Sequence, residues 1–424
     1  MNYEQSLSYI HSVMWQGSRP GLERITELLD KMGNPQKKLK VIHVTGTNGK
    51  GSFCAMLESI LRHSGYKTGL FTSPYIEHFE ERMMVDGRMI SREMLSEITT
   101  KVRAVADTMS DLPTEFELIT AIGFAFFAEM NCDVCVVEAG MGGRLDSTNV
   151  FDSPVLSVIT GVALDHTAFL GDTTEKIAYE KAGIFKKDCP VLVGNADDSA
   201  WSVICEKAKK LACPVTRVNY DNIRNLRVGL DGSRFDFGAR KDVAIPLLGL
   251  YQPRNAANVL CAVDILQSMG YHITEESLAT GLADTVWKAR FEKLSENPLV
   301  LYDGSHNPEG IAYAVRTVKA LFGDQKVKLV TGVMEDKDHS GMAAALAEVA
   351  QCVYTVTPNN PRSYNAHKFA QEFRDTGVPA HGFDKIAEAV RTALKDNPDL
   401  PLIGLGSLYL YSDFKMALYE ELSK

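Results

Sequence analysis

A glycine-rich segment at residues 44–52, VTGTNGKGS, constrains the fold more than any other part of the chain. It follows a β-branched apolar run at 39–45, LKVIHVT, which predicts a buried parallel strand. The residues after it, FCAMLESILRHSG, have helical spacing and end at a glycine. A strand, a glycine-rich turn and a helix in this order surround an anion with backbone N–H groups and the positive end of a helix dipole. The segment therefore predicts a phosphate-binding loop in an α/β fold.

The residue types of this loop suit a nucleoside triphosphate. Gly46, Gly49 and Gly51 allow the backbone to approach closely and to adopt positive φ angles. Lys50 supplies a mobile positive charge for the β- and γ-phosphates, and Ser52 can place its hydroxyl on Mg²⁺. The spacing differs from the common G-x-x-x-x-G-K-[ST] pattern, since Gly51 separates the lysine from the serine. The residues predicted to bind ATP here are Thr47, Asn48, Gly49, Lys50, Gly51 and Ser52.

Strand patterns alternate with helical patterns along most of the chain, which is typical of an α/β fold with a mostly parallel sheet. Residues 223–247 alternate apolar and polar side chains between glycines, so we expect a small antiparallel sheet there. After a charged, proline-containing segment, the strand–helix alternation starts again. We therefore predict a phosphate-loop domain at 1–288, a linker at 289–297 and a smaller α/β domain at 298–424.

The composition excludes several classes of function. The chain has 45 Lys and Arg against 54 Asp and Glu, and a net charge of -9 argues against nucleic acid as a partner. No apolar stretch approaches the roughly 20 residues that span a bilayer. The first residues also lack the basic and apolar regions of a signal peptide. We therefore expect a cytoplasmic protein that does not contact membranes.

Several sequence blocks together resemble one enzyme family. They are GTNGKGS (46–52), TSPYIEHFEERM (72–83), EAGMGGRLDSTN (138–149), ALDHTAFLG (163–171), EKAGIFK (180–186), YQPRNAANV (251–259), DGSHNPEG (303–310) and GSLYL (406–410). In this order they are similar to folylpolyglutamate synthases and dihydrofolate synthases, which are Mur-type ATP-dependent amide ligases. The resemblance implies that ATP phosphorylates a folate carboxylate and that the amine of L-glutamate attacks the acyl phosphate. It also implies a Rossmann-like second domain, with the active site between the domains.

The resemblance further implies two Mg²⁺ sites. Ser52, Ser73 and Glu138 are expected to hold the first ion, and Glu138 closes a predicted strand, where open α/β sheets bind ligands. His166, in ALDH, matches a family residue that helps to hold the second ion. Lys181 matches a lysine that carbon dioxide carbamylates in this family, which makes it an anion able to support that metal. Without the resemblance, a lysine at this place in a helix would be expected on the solvated face.

Matching positions extend the expected site to the second domain and to the folate pocket. Catalytic or charge-stabilising roles are expected for Lys50, Lys181, Arg290 and His306. Further contacts with ATP are expected from Gln252, Asn255, Arg290 and Asp303. Contacts with folate or glutamate are expected from Tyr75, Phe79, Asp146, His306 and Ser407. Packing within their own loop explains the two aromatic residues equally well.

Several functions remain open at this stage. The first is a monomeric ligase that adds L-glutamate to a tetrahydrofolate. A bifunctional enzyme would also make dihydrofolate from dihydropteroate, although residues 114–117, TEFE, differ from the Ser-Leu-Thr that precedes Phe-Glu in bifunctional members. A Mur-type ligase acting on a cell-wall precursor would leave TSPYIEHFEER unexplained. A phosphate-loop switch or transport ATPase would leave residues 303–310 without a role.

Overall fold

The computed structural model describes residues 1–14, 17 and 19–424. The chain forms two compact units, the first from Met1–Asp221 with Asn255–Thr285 and the second from Asn222–Arg254 with Val286–Lys424. A mostly parallel sheet lies in the first unit, and a small antiparallel sheet and a second α/β sheet lie in the other. The predicted fold class is confirmed.

The first unit holds strands and helices in alternation. Its strands are β1 (Val41–Thr45), β2 (Thr68–Phe71), β3 (Met83–Val85), β4 (Arg88–Met89), β5 (Val134–Glu138), β6 (Leu156–Gly161), β7 (Val191–Asn195) and β8 (Val215–Arg217). Its helices are α1 (Tyr3–Ser12), α2 (Glu23–Lys31), α3 (Lys50–His63), α4 (Arg92–Ala106), α5 (Glu115–Glu129), α6 (Thr167–Leu170), α7 (Thr174–Lys181), α8 (Asp198–Lys210), α9 (Gln252–Ser268) and α10 (Glu275–Ala283). The first residues of α9 belong to the chain segment of the second unit.

The sheet of the first unit has the order β4-β3-β2-β5-β1-β6-β7-β8. Neighbouring strands are parallel from β2 to β8, while β3 and β4 add an antiparallel edge. Strands β1 and β5, VIHVT and VCVVE, are buried along their whole length, as expected where helices cover both faces of a parallel sheet. The carboxyl ends of β2, β5, β1 and β6 therefore lie side by side at one edge of the sheet.

The second unit contains two sheets. Its strands are β9 (Ile223–Gly229), β10 (Gly232–Phe237), β11 (Arg240–Ile245), β12 (Glu292–Glu296), β13 (Leu299–Asp303), β14 (Val327–Thr331), β15 (Ala350–Val356), β16 (Ala380–Phe383) and β17 (Leu402–Leu405). Its further helices are α11 (Pro308–Phe322), α12 (His339–Ala347), α13 (Ala366–Asp375), α14 (Ile386–Lys395) and α15 (Tyr411–Leu422). Strands β9, β10 and β11 form the small antiparallel sheet, and the larger sheet has the order β12-β13-β17-β14-β15-β16.

The predicted domain division differs from these units in two places. The predicted linker at 289–297 contains β12, which pairs antiparallel with β13. A charged segment can form this strand because it lies at the sheet edge, where half of its backbone remains open to solvent. Residues 223–247 form the expected antiparallel sheet but group with the second unit. The other bounds of the predicted domains stay a prediction.

None of the helices within the described residues combines the length and the apolar character that crossing a bilayer requires.

Helix α10 lies against the backbone of α3, and this contact predicts a stability effect. A Cβ at Gly281 would lie 2.5 Å from the Cα of Ile60 and 2.7 Å from its backbone nitrogen. Backbone atoms cannot rotate away, so we expect Gly281→Ala to cost about 1–3 kcal/mol of unfolding free energy. That cost is partly offset by the ~1 kcal/mol that alanine gains over glycine inside a helix.

Urea unfolding measures this difference. Thr280→Ala, at an exposed position of the same helix, is the control and should change stability by less than about 0.5 kcal/mol. An equal loss in both variants would contradict the packing argument.

Candidate active site

The phosphate loop, residues 46–52, connects β1 to α3 as predicted. Gly49 precedes α3 with a φ of 83°. Gly46 has a φ of 157°, and a Cβ there would lie 1.9 Å from Thr160 Oγ1, so a side chain does not fit. The Lys50 ammonium donates to the carbonyls of Gly46 (3.0 Å) and Thr47 (3.2 Å). The loop thus combines a cation with the N-terminus of a buried helix, which suits a phosphate group.

Other segments of the first unit fix this loop in place. The Thr160 hydroxyl of β6 donates to Asn48 O at 2.7 Å. Asn255 of α9 lies against the loop, since a Cβ on Gly49 would be 2.4 Å from its Oδ1. The structure therefore brings Asn255 to the predicted nucleotide site, while its contact with ATP stays a prediction.

Glu138 and Ser73 meet at the carboxyl ends of the neighbouring strands β5 and β2. The Ser73 N–H donates to Glu138 Oε2 at 3.2 Å, and the Glu138 side chain is buried. In the β1–β5 register Glu138 lies beside Val44, two residues before the loop. Ser52 is buried in the first turn of α3. A carboxylate and a serine hydroxyl thus lie at strand and helix ends beside the phosphate loop.

A pocket within the first unit joins the phosphate loop to the segments that follow β5 and β6. Its lining comprises Thr45, Gly46, Thr47, Lys50, Ala139, Gly140, Met141, Gly142, Asp165, His166, Leu170 and Lys181. Lys181 is the last residue of α7, and its side chain is only 2% exposed. Lys181 therefore does not lie on the solvated face that a helical pattern alone would suggest, because the last turn of α7 lines this pocket. The burial agrees with what carbamylation would require.

The pKa of Lys181 is lowered to about 7, mainly because burial disfavours the ammonium form and also because the Lys50 cation is near. The carboxylates of Asp165 and Asp146 oppose this shift. At neutral pH a large share of Lys181 is therefore the neutral amine, which is the nucleophilic form.

Asp165 is a pocket residue that the sequence analysis did not select. The backbone N–H of His166 donates to Asp165 Oδ1 at 2.8 Å, and His166 has a left-handed φ of 49°. Both residues line the pocket together with Lys181. The sequence did contain a signal for Asp165, because it is an acidic residue soon after β6 and ligands bind at the carboxyl ends of strands in open α/β sheets.

Asp146 lies in the connection from β5 to β6 and is buried. Its Oδ2 accepts from the Met141 N–H at 2.8 Å, and its Oδ1 accepts from the Thr148 hydroxyl at 2.5 Å. Burial raises the pKa of this carboxyl, and the hydrogen bonds from Thr148 and Met141 oppose the rise. Asp146 thus holds the pocket-lining turn, and its predicted contact with folate stays a prediction.

Tyr75 and Phe79, which are predicted to contact folate, belong to one aromatic cluster. The rings of Tyr75 and Phe79 are 5.9 Å apart, and the Arg82 guanidinium lies 5.1 and 5.8 Å from their centroids. Phe79 is buried and also meets the His11 ring edge-on, whereas Tyr75 is 38% exposed. Packing accounts for Phe79, so Tyr75 is the more accessible aromatic ring. Stacking of either ring on folate stays a prediction.

In the second unit, Asp303 closes β13 and is fully buried. Its Oδ2 accepts from the Tyr251 hydroxyl (2.6 Å) and the Phe291 N–H (3.0 Å), and its Oδ1 accepts from the Ser305 N–H (3.0 Å). The carboxylate therefore joins three segments of its own unit, a role that the sequence did not indicate. Its predicted contact with the nucleotide stays a prediction.

Arg290 and His306 lie at the loop that follows β13. A Cβ on Gly304 would be 2.7 Å from Arg290 Nη1, and His306 Nδ1 lies 2.8 Å from Gly304 O, to which it donates. Ser407 caps the turn after the neighbouring strand β17. Gln252, the first residue of α9, is buried. The structure thus gathers Arg290, His306 and Ser407 at adjacent strand ends, and their ligand contacts stay predictions.

Comparisons with known proteins identify the family. Residues 44–265 match the Mur ligase middle domain, and residues 289–399 match the Mur ligase, glutamate ligase domain. A folylpolyglutamate synthase of Lacticaseibacillus casei is 36% identical over 439 residues, which covers 99% of this chain and 99% of the relative. The chain belongs to the folylpolyglutamate synthase and dihydrofolate synthase family. The resemblance found in the sequence blocks is confirmed.

Two further relatives support this assignment. A dihydrofolate synthase/folylpolyglutamate synthase of Bacillus subtilis is 34% identical over 432 residues, covering 98% of this chain and 99% of the relative. A solved FPGS–AMPPCP–folate complex is similar with a TM-score of 0.86 and 35% identity, covering 99% of this chain and 100% of that one. The similarity therefore extends over both units of this family member.

The residues of this family member fit Mg²⁺ ions that nucleotide phosphates would complete. Among the described residues, no group of three or more His, Cys, Asp or Glu side chains is placed to hold a metal ion. Mg²⁺ usually needs only one or two carboxylates beside phosphate and water oxygens. Glu138, whose Oε2 lies 3.2 Å from the backbone nitrogen of Ser73, offers such a carboxylate beside the phosphate loop, and Asp165 with His166 offers donors in the pocket.

The lowered pKa of Lys181 predicts how stability depends on pH. The folded chain releases this proton near pH 7, whereas the unfolded chain keeps it until about pH 10.4. Between these values the unfolded state binds more protons, so the free energy of unfolding rises with pH by up to ~1.4 kcal/mol per pH unit. The destabilisation by Lys181 is fully present below pH 7 and disappears above about pH 10.4.

Urea unfolding across this window, in metal-free and carbonate-free buffer, checks the sign. Lys181→Met should be at least as stable as the wild type below pH 7 and should lack this contribution to the rise, so that its stability increases less with pH. Lys176→Met, at an exposed position of the same helix, should keep it. Parallel curves for the wild type and Lys181→Met would contradict a buried, half-neutral lysine.

Proposed function

We propose that this chain is an ATP-dependent ligase that adds L-glutamate to the glutamate tail of a reduced folate, releasing ADP and phosphate. The pocket that joins the phosphate loop to Asp165, His166 and the buried Lys181 carries the proposal, because it places the Lys50 cation beside side chains that could support a metal ion. The triphosphate of ATP together with Mg²⁺ would match this combination of charges. Similarity to folylpolyglutamate synthases over nearly the whole chain supports the same activity.

The chain's own residues would act chiefly by positioning charge, as is usual in phosphoryl transfer. Lys50 and the N–H groups at the start of α3 would hold the β- and γ-phosphates while the folate carboxylate attacks the γ-phosphorus. The glutamate amine would then attack the acyl carbon and expel phosphate. Arg290 would stabilise phosphate charge with its guanidinium.

His306 is suited to the second step. Its Nδ1 proton is donated to Gly304 O, so the neutral ring carries an acceptor at Nε2. We assign to it the proton that the glutamate amine loses on attack. Ser407, at the start of the turn after β17, would bind the glutamate carboxylate.

Mg²⁺ would neutralise phosphate charge in this site, held by Ser52, Ser73 and Glu138 at one position and by His166 at the other. We further propose that Lys181 is carbamylated and supports the second position. Its burial and its pKa of about 7 favour this, because only the neutral amine attacks carbon dioxide. The proposal includes a monomer with a phosphate-loop domain at 1–288 and a Rossmann-like, glutamate-binding domain at 298–424.

Dihydrofolate synthesis is a second candidate activity. The Bacillus subtilis relative is named for both reactions. Both reactions activate a carboxylate with ATP and couple it to glutamate, so one site can serve both when the pterin pocket accepts dihydropteroate.

Phosphate release from ATP tests the ligase directly. We expect release to require tetrahydrofolate and L-glutamate together, with elongated folate formed in equal amount. Replacing tetrahydrofolate by dihydropteroate then decides whether the enzyme is bifunctional. Release at the same rate without glutamate would contradict ligation and would favour a phosphate-loop ATPase.

Two substitutions localise this activity. Lys50→Ala and Glu138→Ala should each lower kcat by at least about a thousandfold, because Lys50 supplies positive charge to the phosphates and Glu138 would hold the Mg²⁺ that neutralises them. Circular dichroism and thermal melting check that the fold survives. Lys176→Ala, which removes an exposed lysine paired with Asp172, should keep wild-type activity. Comparable loss in all three variants would contradict the site.

Isotope-labelled bicarbonate tests the carbamate. Wild-type protein should give a carbamate carbon resonance that Lys181→Met lacks, and bicarbonate should raise the ligation rate of protein depleted of carbon dioxide. A wild-type spectrum without this resonance, together with full activity in depleted buffer, would show that Lys181 acts as an amine.

A further inference from the structure

His43 is a buried polar residue in the middle of β1. It is the third residue of VIHVT and has no solvent exposure. In the sheet register it lies between Val137 of β5 and Ser157 of β6. A histidine at such a position is costly unless its ring nitrogens are used, because a buried polar group loses its hydrogen bonds with water. The contacts of this ring therefore require an explanation.

One ring nitrogen begins a chain of hydrogen bonds. His43 Nε2 lies 2.8 Å from Thr148 Oγ1. The Thr148 hydroxyl donates to Asp146 Oδ1 at 2.5 Å, so its oxygen must accept from His43. The proton of His43 is therefore on Nε2. Among the described residues, Nδ1 has no hydrogen-bond partner, which fits an unprotonated nitrogen.

The ring is also held neutral and in one orientation. Burial, assisted by the charge of Lys186, lowers the pKa of His43 to about 3. Phe151 meets the ring edge-on, with the centroids 5.7 Å apart. His43 therefore stays a fixed donor at all working pH values.

The other end of the chain reaches the pocket. Asp146 Oδ2 accepts from the Met141 N–H at 2.8 Å, and Met141 belongs to the turn at 139–142 that lines the pocket beside Lys50 and Lys181. The same face of β1 holds this turn again, since the Thr45 hydroxyl donates to Gly142 O at 2.5 Å. The end of strand β1 thus leads into the phosphate loop, while side chains of the same strand hold the 139–142 turn that also lines the pocket.

We infer that His43 is a positioning residue of the ligase site, which acts through the Thr148 hydroxyl to orient the Asp146 carboxylate and hold the 139–142 turn against the phosphate-loop pocket. The inference rests on the proposed ligase function. The phosphate loop makes its own contacts with Lys50, and none of them uses His43. Loss of the chain should therefore impair the reaction more than the binding of ATP.

Two matched pairs of variants test this role. His43→Gln keeps a donor near the position of Nε2, and His43→Met has similar length without a donor. Thr148→Ser keeps the hydroxyl, and Thr148→Val removes it with the same shape. We expect His43→Met and Thr148→Val to lower kcat about tenfold or more with the KM for ATP changed less than about threefold, and the partner variants to recover most of kcat. The kcat of the double variant His43→Met/Thr148→Val should be no lower than that of the more impaired single variant, because both substitutions break the same chain of hydrogen bonds.

Val41→Ala is the control for a merely structural role. Val41 lies on the same face of β1 and is equally buried, but it is apolar. It should lower Tm while leaving kcat within about twofold of the wild type. Equal kcat in His43→Met and His43→Gln, or an equal kcat loss in Val41→Ala, would overturn the inference. If the His43 variants do not fold, the Thr148 pair decides alone.

Hydrogen exchange separates this inference from the proposed function. Amides at 139–142 should exchange faster in His43→Met and Thr148→Val than in their partners, whether or not the protein ligates glutamate. Unchanged exchange in an active enzyme would refute the hydrogen-bond chain. A wild-type enzyme without ligase activity would refute the proposed function instead.

Discussion

Parallel pairing of β1 with β5 and β6 is the constraint on which the rest of the site depends. Because the three strands are parallel, their carboxyl ends lie at one edge of the sheet. The phosphate loop follows β1 there, Glu138 ends β5, and the segment with Asp165 follows β6. The helix dipole of α3 points to the same place. Side chains alternate along each strand, so a slip of one residue would turn His43 and Thr45 away from the turn that they hold. Position in this sheet thus determines which side chains can act together.

Burial of Lys181 beside Lys50 is an electrostatic cost of this arrangement. Burial lowers the pKa of Lys181 to about 7 because it disfavours the ammonium form, and repulsion from the nearby Lys50 cation adds to this shift. A purely structural lysine would gain nothing from such a place. Strongly shifted pKa values are typical of functional sites, and an anionic ligand or a carbamate would each remove the repulsion.

Much of this architecture could be predicted from the sequence, because the relevant signals are local. The phosphate loop needs only a strand, glycines and a helix in order, and Glu138 is marked by its place at the end of an apolar run. Other features depend on contacts between distant segments. The burial of Lys181, the grouping of 223–247 with the second unit and the internal bonds of Asp303 arise from packing that no local pattern encodes. Asp165 was not predicted, because in the block ALDH only the adjacent His166 was matched to a metal ligand of the family.

The central claim is that the folate carboxylate is activated as an acyl phosphate before glutamate attacks. Heavy oxygen placed in the terminal carboxylate of a reduced folate tests it most directly, with the released phosphate analysed by mass spectrometry. The account predicts that each turnover transfers one labelled oxygen from the folate to phosphate, because phosphate leaves with the oxygen that attacked ATP. Released phosphate without label, in a reaction that still forms the amide, would contradict this mechanism.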